Sequence, residues 1–177
     1  MTNSIPEAVQ TIFQRHSCRH FRNTPIPDNH IQLLLEAFRH APSAGNRQPW
    51  HVYVVQNPEI REELMRAAYG QDFIAEAPVV FVVCAIPDQS ASRYGKRGET
   101  LYVYQDTAAA IENLLLTATA LHYGSCWVGA FEERRVREIL NLPAQFRPIA
   151  IIPVGEPAEP PEPTERKPIE QITTFLT

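Results

Sequence analysis

Between Gln105 and His122 lies the segment that limits the fold most. Ile111, Leu114, Leu115, Ala118 and Leu121 recur at helical spacing, while Ala108, Leu116 and Thr119 keep the remaining sides nearly apolar. After Asp106 its only charge is Glu112. A helix apolar almost all round has no face to offer water and must be covered on most sides. In a chain of 177 residues that pattern predicts a central helix covered partly by a second subunit. Gly124 stands where a left-handed residue would end it.

The other elements are read around this helix. Ala8, Val9, Ile12 and Phe13 form an apolar stripe on a first helix starting near Pro6. A second helix opens at Pro27-Asp28, with Asp28 able to cap it, and presents Ile31, Leu34, Leu35 and Phe38 until Pro42 forbids continuation. Val52 to Val55 reads as a strand, and Asn57-Pro58 caps a third helix that ends near Gly70. Val79 to Ile86, bounded by Pro78 and Pro87, is a continuous β-branched run suited to a central strand covered on both faces. Residues 88–104 are polar, with Gly95, Gly98 and three tyrosines, and read as a mobile connection or lid. Cys126 to Phe131 reads as a short strand interrupted by Gly129, followed by a helix from Glu132 to Asn141 and a last strand from Pro148 to Val154. Residues 156–177 carry Pro157, Pro160, Pro161, Pro163 and Pro168 and should form an extended arm of one domain spanning 1–177.

Composition narrows the function class. A net charge of −4 and a pI near 5.9 argue against the basic footprint of a nucleic-acid binder. The longest uncharged apolar run, Ala77 to Pro87, is far short of the roughly 20 residues a bilayer span requires. The first residues lack the basic and apolar regions of a signal peptide, so a cytoplasmic location is expected. Cys18, Cys84 and Cys126 are widely spaced and odd in number, which disfavours a disulfide framework.

Two polar clusters carry candidate chemistry, and each has a plain alternative. Arg15 and Arg19, four apart on a helical end with Ser17 between them, could hold a phosphate, or they could simply offset a helix dipole. His16, Cys18 and His20 are possible metal ligands, but His16 and Cys18 would face apart and no second cluster completes a shell. Pro42 and Pro49 fix the ends of a loop in which Ser43, Asn46 and Gln48 could match the edge of a heterocycle. The same loop could be an ordinary capped turn. Gly129 in a strand-like segment marks close approach of backbone to another strand or to a planar ring. The glycine signatures of dinucleotide-binding, P-loop and serine-hydrolase folds are absent from the sequence.

Four stretches, Arg15 to Arg19, Pro42 to Trp50, Tyr104 to Leu116 and Gly124 to Phe131, together resemble the FMN-dependent nitroreductase family in its expected order. The resemblance implies an α+β fold, a mixed sheet surrounded by helices, in an intertwined homodimer with FMN at the interface. It implies that Arg15, His16, Ser17 and Arg19 bind the FMN phosphate and ring edge. Pro42, Ser43, Asn46 and Gln48 would reach the flavin from the other subunit. Trp127, Val128, Gly129 and Ala130 would lie along the ring, with a backbone N–H near Gly129 or Ala130 at N5. Arg166 matches a basic residue returning to the phosphate, although Thr164 and Glu165 stand where many relatives carry another cation. The implied reaction passes a hydride from NAD(P)H to flavin and then to an electron-poor acceptor such as a nitroaromatic or quinone, with no side-chain acid or base. A reductive dehalogenase, a flavin-cleaving enzyme and a non-catalytic FMN-binding protein are the alternatives.

Overall fold

A computed structural model describes residues 5–160, 162 and 164–176. Its strands are β1 (Phe21–Arg22), β2 (Trp50–Val55), β3 (Val79–Ala85), β4 (Gly124–Ser125) and β5 (Arg147–Pro157). They form one sheet in the order β1-β5-β3-β2, with β4 also on β5. Its helices are α1 (Glu7–Gln14), α2 (Asp28–Arg39), α3 (Pro58–Ala67), α4 (Phe73–Glu76), α5 (Pro87–Arg97), α6 (Val103–Ala120) and α7 (Glu133–Ile139). The expected α+β architecture is therefore present. Ladders between these strands are antiparallel, and parallel pairing occurs as an isolated bridge from Ser17 to Ser125.

Every residue of β3 is buried, as its unbroken apolar run requires. Side-chain alternation along the strand sends Val79, Phe81 and Val83 to one core with α2 and α6, and Val80 and Val82 to another with α3 and α4. The first core holds Leu34, Phe38, Ile111, Leu114 and Ala118; the second holds Leu64, Ile74, Val136 and Ile151. On α6 only Gln105 and Ala120 are exposed, so the helix is indeed central. By contrast α1 buries nothing in its own chain: Ile12 is 50% and Phe13 65% exposed. Asn57 caps α3 by accepting from the Glu59 and Ile60 N–H groups at 2.8 and 3.1 Å.

Several local expectations are corrected. Residues 88–104 are helical: α5 breaks at Gly95 (φ 54°), and a π-helical turn over Gly98–Tyr102 leads directly into α6. This segment packs on itself through Tyr94 against Tyr102, and Gly98 lies so close to the Ser90 carbonyl that no larger residue fits. Pro27, with no side-chain bond, precedes α2, so Asp28 lies in its first turn and does not cap it. His122 (φ 62°), and not Gly124, takes the left-handed position after α6. Glu156 and Pro157 remain in β5, pairing with Arg22 and Phe21, so the arm begins at Ala158. Among the described residues no helix is long and apolar enough to cross a membrane.

Candidate functional site

The chain leaves α1 at Arg15 in an extended conformation (φ −64°, ψ 123°). Two residues on, Ser17 bridges Ser125, and the Cys18 N–H donates to the Ser125 carbonyl at 2.9 Å. Alternate residues of an extended chain share a side. Arg15, Ser17 and Arg19 thus keep a common side through a period of two, correcting the helical spacing expected for them. Cys18 turns inward and is buried, whereas Ser17 and Arg19 are exposed. Arg15 Nε lies 3.6 Å from Glu112 Oε1 on α6. Arg19 has no ion pair or side-chain hydrogen bond among the described residues. His16 Nδ1 pairs with the Gln14 carbonyl at 2.6 Å. Among the described residues no three metal-ligating side chains converge.

Gly124, Ser125 and Cys126 run beside it, and the chain continues from them to Ala130. A Cβ on Gly124 would stand 2.6 Å from Cys18 Cβ and 2.7 Å from its Sγ, which is why a residue without one occupies the contact. Burial pushes the Cys126 thiol pKa up, and the Arg19 and Arg15 charges with the Ser17 hydrogen bond pull against it, so all three neighbour this cysteine. Val128 is buried and exchanges two 3.0 Å backbone bonds with Ile151. Trp127, Gly129 and Ala130 are exposed, and the Gly129 and Ala130 N–H groups donate no hydrogen bond among the described residues. The strand expected over residues 126–131 is thus reduced to the Val128 bridge. A Cβ on Gly129 would meet nothing within 4 Å, so the close approach expected there is not made within this chain. Gln71, which no sequence motif singles out, holds this segment by donating to Ala130 O at 3.1 Å and Ala68 O at 2.9 Å.

The arm folds back over the first segment, with the Ala158 N–H donating to the His20 carbonyl at 2.9 Å. Between them lies a cavity of about 630 Å³ lined by Ser17, Arg19, His20, Glu159, Glu162 and Thr164 among others. Two carboxylates therefore face the same space as Arg19. Arg166 donates to Thr164 Oγ1 at 2.6 Å and Thr164 O at 3.2 Å. It makes no bond to residues 15–19 among the described residues, although Thr164 lines the shared cavity.

The loop after Pro42 is a compact, strained turn. Gly45, Asn46 and Gln48 have φ of 57°, 55° and 50°, and a 3₁₀ turn covers Ala44–Asn46. Ser43 Oγ accepts from the Gln48 N–H at 2.9 Å, and the Gln48 amide donates to Asn46 Oδ1 at 3.1 Å. Non-glycine residues in the left-handed region cost energy that surrounding contacts must offset. Asp106 on α6 supplies one such contact by accepting from the Ala44 N–H at 3.0 Å. Its other carboxylate oxygen is buried without a partner, and burial pushes its pKa up against the lowering effect of that N–H. Within one chain the loop does not join the other two segments: no hydrogen bond or ion pair connects it to residues 15–20 among the described residues. The loop meets α6 at Asp106 and Arg15 meets it at Glu112, about 9 Å further along and about a third of a turn round.

The sequence pattern described as the Nitroreductase family matches residues 12–71 and 63–156. The chain belongs to that family. Among its relatives, a protein of Archaeoglobus fulgidus provisionally named as an NADH dehydrogenase/NAD(P)H nitroreductase is 36% identical over 159 residues, 88% of each chain. A Thermus thermophilus protein named NADH dehydrogenase is 29% identical across 98% of each. Among solved structures, a nitroreductase family protein from Streptococcus pneumoniae superposes with a TM-score of 0.87 at 26% identity, covering 95% of this chain and 99% of that one. In this member of the family, the first and last of the four motif stretches meet at Ser17 and Ser125, and the loop after Pro42 is displayed on another side of α6, which is the remaining stretch.

Proposed function

We propose that the chain, acting as one domain in a homodimer, is an FMN-dependent oxidoreductase. It takes electrons from NADH or NADPH and delivers them to an electron-poor small molecule such as a nitroaromatic or quinone. Family membership supports oxidoreductase chemistry, and relatives named for NADH and NAD(P)H support the donor class. The observation that carries the reading is that Arg15, Ser17 and Arg19 gather at Ser125 and Cys126, in the segment that runs on to the exposed Gly129 and Ala130, whose N–H groups donate no hydrogen bond among the described residues.

The residues present fit FMN. Arginine cations with a hydroxyl suit a phosphate, and an exposed glycine backbone with spare donors suits the edge of a planar ring. When bound, FMN supplies the two-electron chemistry itself. What remains for this chain is to hold, orient and charge-balance. Arg15, His16, Ser17 and Arg19 would grip the phosphate end and ring edge, with Arg19 also placing positive charge where a reduced ring is negative. Arg15 must exchange Glu112 for the phosphate, or share itself between them. Trp127, Val128, Gly129 and Ala130 would flank the ring and offer an N–H to N5. Pro42, Ser43, Asn46 and Gln48 of the second subunit would close the site, which accounts for the separation of the loop from the other segments and for the uncovered stripe on α1. Arg166 would reach the phosphate only after releasing Thr164. The buried, unpaired cysteines fit a reducing cytoplasm.

Anaerobic titration tests this. Protein saturated with FMN should show bound-flavin absorbance that NADH or NADPH bleaches and a quinone or nitroaromatic restores. A colourless protein that ignores FMN would refute the proposal, and flavin that neither nicotinamide bleaches would leave only a binding protein. Arg15→Ala should weaken FMN binding about tenfold, the worth of one charge-assisted contact, while the dimer persists.

A further inference from the structure

We propose that Arg93, backed by Tyr94 and by Arg47 of the loop, forms a recognition site for the ribose 2′-phosphate of NADPH. The site stands on the rim of the loop that carries Ser43, Asn46 and Gln48, and its assignment rests on the oxidoreductase reading above.

The first turns of α5 are fastened to that loop. Arg47 Nε donates to the Gln89 carbonyl at 3.2 Å, its terminal nitrogen donates to Ser92 Oγ at 2.7 Å, and the Gln89 amide returns to Arg47 O at 2.6 Å. Tyr94 and Arg93 then lie against Gly45: a Cβ there would strike the Tyr94 hydroxyl and stand 3.3 Å from Arg93 Nε. Arg93 is exposed, its guanidinium lies 5.6 Å from the Tyr94 ring centroid, and it has no carboxylate partner among the described residues. Arg97, beyond the break at Gly95, repeats the arrangement, bonded to Tyr102 Oη at 2.9 Å and lying 5.3 Å from that ring. Lys96 differs, being paired with Glu99 at 3.2 Å.

In a chain of net charge −4, α5 thus carries two arginines that have no carboxylate partner among the described residues and are steadied on tyrosine faces. A guanidinium restrained in this way loses little freedom on meeting an anion, and its fork matches phosphate oxygens in pairs. The anion follows from position. The nicotinamide end of the donor must reach the ring beside the loop, so the remainder of the dinucleotide has to lie across neighbouring surface, and α5 is the element laid on that loop. NADH and NADPH share every other group, so a cation that meets that part of the dinucleotide senses the extra phosphate. The chain has no glycine-rich dinucleotide fingerprint to perform the discrimination elsewhere.

Two readouts test the site on FMN-loaded dimer. In steady-state turnover, Arg93→Ala should lower the ratio of kcat/KM for NADPH to that for NADH about tenfold, through KM, with Arg93→Lys recovering part of it. In calorimetric titration without turnover, adenosine 2′,5′-bisphosphate should bind about tenfold more weakly to Arg93→Ala, while adenosine 5′-monophosphate should not distinguish the two proteins. Unchanged ratio and unchanged bisphosphate affinity would overturn the site and leave the oxidoreductase reading standing. If the protein binds bisphosphate through Arg93 yet its flavin is not bleached by either nicotinamide, the site stands and that reading fails.

Discussion

Replacing Gly124 by alanine tests how the surface around Ser17 is held. The added methyl would meet Cys18 Cβ at 2.6 Å, Cys18 Sγ at 2.7 Å and Pro157 Cγ at 3.2 Å. Ordinary carbon contacts lie at about 3.5–4.0 Å, so the Cys18 backbone must retreat by roughly 1 Å. That retreat stretches the Cys18 to Ser125 hydrogen bond, now 2.9 Å, and displaces Ser17 and Arg19 together. Overpacking of this kind costs about 1–3 kcal/mol, equivalent to a fall of roughly 2–12 °C in Tm for a chain of this size. Thermal unfolding with and without FMN should show both the fall and a smaller stabilisation by the cofactor. The steric origin is checked by Gly124→Ala/Cys18→Gly, which removes the struck atoms and should recover part of the cofactor's effect. Gly124 is not among the glycines with positive φ, so backbone strain offers no rival account. A Tm and an FMN affinity both equal to wild type would refute the reasoning, as would a double variant no better than the single one.

Two further outcomes follow from buried polar groups. Asp106 has a folded-state pKa pushed above its unfolded value, so its contribution to stability is present below about pH 4, near the unfolded carboxylate value, and is lost as pH rises through the raised one. Asp106→Asn keeps an acceptor for the Ala44 N–H, and its unfolding free energy relative to wild type should climb as pH rises from about 4, near the unfolded carboxylate value; a relative decline with rising pH would contradict this. Buried Arg61 donates to the Ala75 carbonyl at 2.9 Å and to the Ala77 carbonyl, fixing the end of α4. Arg61→Met should orphan both and cost about 2–4 kcal/mol in urea unfolding, and a loss below about 0.5 kcal/mol would show that water replaces the guanidinium.

The elements that could be read in advance were those whose stability is local or whose burial is extreme. β3 announced itself because a strand covered on both faces needs an unbroken apolar run, and α3 because Asn57 and Pro58 start a helix by short-range chemistry. Residues 88–104 misled because their helix rests on tertiary contacts: Tyr94 with Tyr102, Arg97 with Tyr102, and Gly98 under Ser90. β1 is two residues long and exists only by pairing with the end of β5. At the candidate site, Arg15, Ser17 and Arg19 were legible as a set, but the period that aligns them is that of extended chain. Gln71 and Asp106 escaped notice because each acts through one hydrogen bond to a distant backbone group, which leaves no spacing signature.

The fastening of α5 to the loop restricts how such a protein can diversify. The Arg47 bonds to Gln89 and Ser92, with Tyr94 seated on Gly45, make the two segments move as one body. A substitution that tilts α5 to admit a bulkier molecule also shifts Ser43 and Gln48. Changes on its inner face are therefore pleiotropic and rarely neutral. Variation is channelled to outward positions such as Lys96, which pairs with Glu99 and makes no hydrogen bond to the turn among the described residues, so that its side chain can be exchanged without disturbing it.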